Sequence, residues 1–232
     1  MTALTRDQFL QSVRQARPRT AVFDFDGTLW PGDAGSGYMH WTMATRLLSP
    51  AATHSILDRH ARYVRGEIDE ISICGEMTSC YAGLTEESLR ASAQAYFRDH
   101  VQPHFFPEMV ALVRELKAAG TDVWAVSSTN NWMIEEGVRD LGIAPDHVLA
   151  ATIAFEDGSA TSTILDVPSD EGKAAALRRV GLDHPDAVFG NSIHDFHMLE
   201  MAKHAYPVNP TAALAEKAAE LGWPVYYPAT ER

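Results

Sequence analysis

The sequence predicts an α/β fold: a parallel sheet of buried strands covered by helices on both faces, interrupted once by an all-helical insertion. Three observations carry that expectation. Short, nearly continuous apolar runs recur at 20–25, 122–127, 147–152 and 186–189, as strands do when neither face meets water. Helical periodicity lies between the runs, and most of these helices end at a glycine, a usual stop signal. Residues 31–104 carry helical patterns and no strand, and a structureless loop of that length is rare in a compact domain.

In chain order, Leu4, Phe9, Leu10 and Val13 stand among polar residues and predict a short amphipathic helix ended by Pro18. The run 20–25 is a buried strand, with Gly27 and Pro31 opening a loop at its carboxyl end. Helices are predicted over 37–48, 50–65, 68–81 and 86–100 within the insertion. Beyond it come helix 109–119 before Gly120, strand 122–127, helix 132–141 before Gly142, and strand 147–152. Asp157-Gly158 between β-rich flanks predicts a hairpin over 153–164. Helix 172–180 stops at Gly181, strand 186–189 follows, and helix 211–221 precedes Gly222 and Pro224. The expected organisation is an α/β core of residues 1–30 and 105–232, with 31–104 as a separate helical domain.

Composition narrows the function. The chain has 232 residues, with 19 Lys+Arg against 31 Asp+Glu, a net charge of −12 and a pI of about 5.2. An acidic surface repels phosphate backbones, so nucleic-acid or anionic-membrane binding is not expected. A small anionic substrate would need a local cation. Hydrophobic residues at 46% fit a globular domain. Two cysteines, Cys74 and Cys80, exclude a disulfide scaffold and a structural zinc site, and are expected to be packing residues. The first nineteen residues lack the apolar run of a signal peptide, and no stretch approaches the ~20 apolar residues of a membrane span. The expected compartment is the cytoplasm.

Four segments carry chemistry. In Phe23-Asp24-Phe25-Asp26-Gly27-Thr28-Leu29, two carboxylates end an apolar strand. Neighbouring half-buried carboxylates repel, so a cation must offset them, and carboxylate oxygens suit Mg2+. The carboxyl ends of strands are also where open α/β sheets bind ligands. Val126-Ser127-Ser128-Thr129-Asn130-Asn131 places hydroxyls at a strand-to-helix turn, where they bond an anion or cap the helix. Lys173 lies in the first turn of a helix expected to be capped by Ser169, with Asp170 and Glu171 beside it. A cation there opposes the helix dipole by roughly 0.3–1 kcal/mol, so the lysine either reaches toward an anion or is solvated and offset by Asp170 and Glu171. Gly190-Asn191-Ser192-Ile193-His194-Asp195 brings another carboxylate to the same sheet edge. His194, His197 and His204 do not form a convincing metal set, since nothing completes it.

Taken together, these segments resemble the haloacid dehalogenase superfamily of phosphohydrolases, and in particular its phosphoserine-phosphatase-like branch. Asp24-x-Asp26-x-Thr28 is similar to the first motif, Ser127 to the second, Lys173 to the third, and Gly190-Asn191-Ser192-x-x-Asp195 to the fourth. The resemblance covers nearly the whole chain and implies a Rossmann-like core, a three-layer α/β/α sandwich, with 31–104 as a helical cap. It implies that Asp24 is a nucleophile forming an aspartyl phosphate, and that Asp26 is the general acid and base. It also implies that Thr28, Ser127, Ser128 and Lys173 hold the phosphoryl oxygens. Mg2+ would be held by Asp24, the carbonyl of Asp26, Asn191 and Asp195. Asn191 departs from the family, which usually has Asp there; an amide brings no negative charge, so weaker Mg2+ binding is expected. His194 stands where Asn is frequent.

The expected substrate is a small phosphomonoester. Asp33 falls where the related phosphatases place an acidic residue against a substrate amine, which points to an amine-bearing ester such as phosphoserine, unless Pro31-Gly32-Asp33-Ala34-Gly35 is a plain turn that favours Asp; phosphocholine, phosphoethanolamine and polyol phosphates stay open. Trp30, Tyr38, Trp41 and Trp132 flank the motifs and form either an aromatic cage for a quaternary ammonium or part of the core. A phosphotransferase, a dehalogenase and a degenerate phospho-ligand binding protein are the alternatives. The sequence does not fix the oligomeric state.

Overall fold

The computed structural model describes residues 3–229. Its order is α1 (Arg6–Ala16), β1 (Thr20–Phe23), α2 (Ala34–Ala44), α3 (Pro50–Val64), α4 (Glu70–Ser79), α5 (Glu86–Tyr96), α6 (Pro107–Ala118), β2 (Asp122–Asn130) and α7 (Asn131–Arg139). There follow β3 (Val148–Glu156), β4 (Ser159–Asp166), α8 (Glu171–Arg179), β5 (Ala187–Gly190), α9 (Phe196–Glu200), β6 (His204–Pro207) and α10 (Ala212–Leu221). One six-stranded sheet runs β4-β3-β2-β1-β5-β6. Every pairing is parallel except the β3–β4 hairpin.

Strand alternation makes the three layers. Ala21 and Phe23 of β1, Val123 and Ala125 of β2, and Ala187 and Phe189 of β5 face one core, shared with Phe9 and Val13 of α1 and Met109 and Leu112 of α6. Val22, Trp124, Val126 and Val188 face the other, with Leu177 of α8, Met198 of α9 and Leu214 of α10. Successive side chains point to opposite faces, so continuous apolar runs bury both. The α/β expectation is correct.

Three local expectations need adjustment. Strand β1 ends at Phe23, although Asp24 N still donates to Phe189 O at 2.9 Å. Strand β3 runs through to Glu156, so the predicted strand and hairpin are one ribbon that pairs first with β2 and then with β4. Its turn is Asp157 (φ 48°) and Gly158 (φ 75°), both left-handed as a type I′ hairpin requires. Strand β6 was not foreseen: it is four residues long, starts at an exposed histidine and ends at a proline, as edge strands often do.

Residues 31–104 hold no strand, and α2 to α5 lie there. Helix α2 begins at Ala34, earlier than expected, because the Asp33 carboxylate caps it by accepting from Ser36 N at 2.8 Å. Met39, Ile56 and Ile73 form a small core of these helices, while Tyr38, Tyr81 and Leu89 join the sheet's own core. The β3–β4 turn is bonded to the same region by Gly83 N to Ala160 O at 2.8 Å and Glu86 N to Gly158 O at 3.0 Å.

Candidate active site

The carboxyl ends of β1, β2 and β5 meet at one edge of the sheet, and the first turn of α8 reaches in beside them. Asp24 follows β1 in a tight turn, with Thr28 N and Leu29 N both donating to Phe25 O. Gly27 makes the turn possible at φ +76°, and a Cβ there would lie 1.8 Å from Asn191 Nδ2. The Asn191 amide thus fills the space beside the Asp26–Gly27 backbone. Gly27→Ala combines left-handed strain with expulsion of that amide, and is expected to cost more than about 1 kcal/mol in chemical denaturation. An unchanged midpoint would contradict this packing.

Lys173 is the centre of the site. Its Nζ donates to Asp24 Oδ1 at 2.7 Å and to Asp195 Oδ1 at 2.5 Å. The three residues are 3%, 4% and 0% exposed. Asp195 Oδ2 accepts from Asn191 N at 2.8 Å and Ser192 N at 2.9 Å. Asp24 Oδ2 accepts from the Thr28 hydroxyl at 2.9 Å. Two carboxylates therefore share one ammonium. Burial and then Asp195 push the Asp24 carboxyl up to about 7, with Lys173 pulling against them. Burial acts to lower the Lys173 ammonium, but Asp195 and Asp24 outweigh it and hold it above the usual lysine range.

Asp26 is built differently. Its Oδ1 accepts from Trp30 Nε1 and Ala34 N, both at 2.7 Å, and its Oδ2 from Thr129 Oγ1 at 2.7 Å. Burial, then Asp33, lift its carboxyl to about 6 against those donors. The two carboxyls near 6 and 7 would exchange protons close to neutral pH.

In front of them lies a cavity of about 220 Å³. Of the residues expected at the site, Asp24, Asp26, Asp33, Ser127, Ser128, Lys173 and Asn191 line it. Thr28 and Asp195 do not: both are fully buried behind Asp24. Thr28, expected to hold a phosphoryl oxygen, instead holds the Asp24 carboxylate. Ser127 Oγ, besides lining the cavity, accepts from Thr129 N at 3.1 Å.

Other expectations are corrected. Trp30, Tyr38 and Trp132 are core residues, and neither they nor Trp41 line this cavity, so they form no cage there; Trp30 serves Asp26 instead. Ser169 is not the cap of the lysine helix. Asp170 takes the cap position at φ 50°, its carboxylate accepts from His194 Nδ1 at 2.7 Å, and the Ser169 hydroxyl is buried without a partner. Thr129, whose hydroxyl donates to Asp26, carries no signal in sequence beyond its place in the hydroxyl run 126–131. His60, Tyr63 and Glu70 were missed because they sit in insertion helices whose sequence shows only helical periodicity; all three line the cavity.

The oxygens at this edge suit a hard divalent cation. Among the described residues no three His, Cys, Asp or Glu side chains cluster to hold a metal by themselves. Mg2+ does not need that, since it is usually held by one or two carboxylates with water and substrate phosphate. Asp24, the Asp26 carbonyl and the Asn191 amide are the oxygens here that could hold such an ion, and Asp195, behind Asp24, could join them only by giving up a present partner, Lys173 or the Asn191 and Ser192 amides.

Residues 21–200 match the haloacid dehalogenase-like hydrolase family. The chain belongs to that family. This hydrolase is 29% identical over 223 residues to a probable phosphatase of Mycobacterium tuberculosis, covering 90% of this chain and 75% of that one. It is 25% identical over 216 residues to a histidinol-phosphatase of Neisseria meningitidis, covering 88% and 96%. Among solved structures it is similar to a phospho-aspartyl intermediate analogue of phosphoserine phosphatase, with a TM-score of 0.63 over 92% of this chain and 95% of that one. At 16% identity, that likeness shows the fold. No described helix is long and apolar enough to cross a membrane.

Proposed function

We propose that the chain is a Mg2+-dependent phosphomonoester hydrolase that works through an aspartyl phosphate on Asp24. The observation that carries this is the Asp24–Lys173–Asp195 cluster facing a cavity with Asp26 beside it. In the first step an Asp24 carboxylate oxygen attacks phosphorus in line with the ester oxygen, and the phosphorus–ester bond breaks. The Asp26 carboxylic acid gives its proton to the departing alkoxide. In the second step the Asp26 carboxylate takes a proton from water as that oxygen attacks phosphorus, which releases inorganic phosphate and restores Asp24. Lys173 holds the nucleophile and balances charge gathering on the phosphoryl oxygens, with Ser127 and Ser128 on the cavity wall to donate to them. Bound Mg2+, on Asp24, Asp195, Asn191 and the Asp26 carbonyl, would supply the remaining positive charge.

Residues 1–30 and 105–232 serve as the catalytic core and 31–104 as a cap whose helices close the cavity. The substrate is a small phosphomonoester carrying an amine, for which Asp33 provides an acidic wall; a relative named histidinol-phosphatase is in keeping with that. The two free thiols fit a reducing cytoplasm.

The test is phosphate release from a panel of phosphomonoesters with and without Mg2+. Mg2+-dependent free phosphate is expected. Transfer to an added alcohol in place of free phosphate would make the chain a phosphotransferase, and absence of turnover would leave a binding protein.

Two further results are expected. Asn191→Asp adds a charged oxygen to the metal set and lowers the Mg2+ concentration for half-maximal activity; an unchanged requirement contradicts the assignment. Thr129→Val removes a donor that favours ionised Asp26, so the Asp26 carboxyl rises from about 6. The acid form then persists further, and the alkaline limb of the kcat/KM profile moves up by about one pH unit. An unmoved limb would show that Asp26 is not the group titrating there.

A further inference from the structure

Building on the hydrolase reading, we propose that the cavity takes phosphomonoesters whose far end carries a cationic nitrogen and no carboxylate, and that Glu70 selects them. Lys173 is the one Lys or Arg among the described residues that line the cavity, and both Asp24 and Asp195 already engage its ammonium. Asp33 and Glu70 line the same cavity, with His60, Tyr63 and His194.

Glu70 is the informative residue. Its side chain is 15% exposed, and its Oε2 is buried with no hydrogen-bond partner. Oε1 accepts a weak bond from Cys74 Sγ at 3.4 Å, and the Tyr63 hydroxyl also lies against this carboxylate. His194 Nε2 stands 3.8 Å from Oε2, beyond hydrogen-bond reach, while its other nitrogen is fixed on Asp170. A buried carboxylate oxygen without a donor is costly, and a donor arriving with the ligand would satisfy it. Asp33 is pinned by Ser36 N at 2.8 Å and Ser36 Oγ at 2.6 Å, so its charge stays fixed at the rim.

An ammonium or imidazolium meets both acids there. A carboxylate at the same place meets two like charges and no guanidinium or ammonium. The distinction separates amino-alcohol phosphates from amino-acid phosphates, and it turns phosphoserine from an expected substrate into a disfavoured one.

Three esters of one skeleton test this: serinol phosphate, phosphoserine (carboxylate for hydroxymethyl) and glycerol 3-phosphate (hydroxyl for ammonium), with p-nitrophenyl phosphate as a featureless ester. Serinol phosphate is expected to exceed each of the other two in kcat/KM by ~10- to 100-fold, the worth of one charge-assisted hydrogen bond. Glu70→Gln should collapse its ratio to glycerol 3-phosphate toward one, and Glu70→Asp should restore part of it. Phosphoserine turned over as well as serinol phosphate overturns the proposal, whatever the variants do. A ratio untouched in Glu70→Gln removes Glu70 from it. Turnover of p-nitrophenyl phosphate alone would sink the substrate class and leave the hydrolase standing. No Mg2+-dependent release from any ester overturns the hydrolase reading and this inference with it.

Discussion

Asp24→Asn is expected to lower phosphate release by more than about 10³-fold while the protein stays folded, since removing a covalent nucleophile removes the whole two-step path. The shape argument is specific. An amide fits the space of the carboxylate, and its oxygen still accepts from Thr28 or Lys173, which donate at 2.9 and 2.7 Å. The substitution also removes the repulsion from Asp195 that helps push the Asp24 carboxyl up. Folded stability without Mg2+ should therefore hold or rise. Release assays on the panel, paired with denaturant unfolding, separate the two effects. Residual activity within tenfold of the parent would rule out Asp24 as nucleophile.

Lys173→Met is expected to damage both activity and folding. It leaves Asp24 and Asp195 buried and facing each other at 4% and 0% exposure without their shared ammonium. Breaking a buried pair by removing one partner costs about 3–5 kcal/mol. The pH dependence has a definite sign. Asp24 already has a folded-state value raised to about 7, and loss of Lys173 raises it further. For an acid raised in the folded state, the stability contribution is present below the unfolded value of about 4 and is lost as pH rises through the folded value. The deficit of Lys173→Met against the parent should be smaller near pH 5 than near pH 8, and should go on growing above about pH 7 until the variant's own, higher Asp24 value is passed. Equal deficits at both pH values would contradict the buried triad.

The legible and illegible parts of the sequence divide along physical lines. Strands β1, β2, β3 and β5 were readable because burial on both faces leaves continuous apolar runs. Strand β6 was not, because its short apolar run, Ala205 to Val208, contains Pro207, and a proline argues against a strand except at an edge. Asp24, Asp26 and Lys173 were readable because charge beside apolar sequence demands compensation, and the structure does bring Lys173 onto Asp24. What could not be read was which atom faces which. Thr28 and Ser127 both carry hydroxyls next to a motif, yet Thr28 turns inward to Asp24 and Ser127 lines the cavity. Glu70 is an ordinary first-turn glutamate in sequence, and only the packing of α4 over the sheet edge strips its oxygen of partners. Ser169 looked like a cap because serine favours that position; Asp170 displaced it, with its carboxylate drawn to His194.

The central claim is a phosphoryl group carried covalently by Asp24. It is tested most directly by quenching a single turnover with Mg2+ and a hydrolysable phosphomonoester, then reducing with borohydride, which converts an acyl phosphate to an alcohol. Homoserine at position 24, absent without substrate and absent in Asp24→Asn, is the predicted result. Rapid phosphate release with Asp24 unreduced at every quench time, or reduction at another carboxylate, would contradict the account.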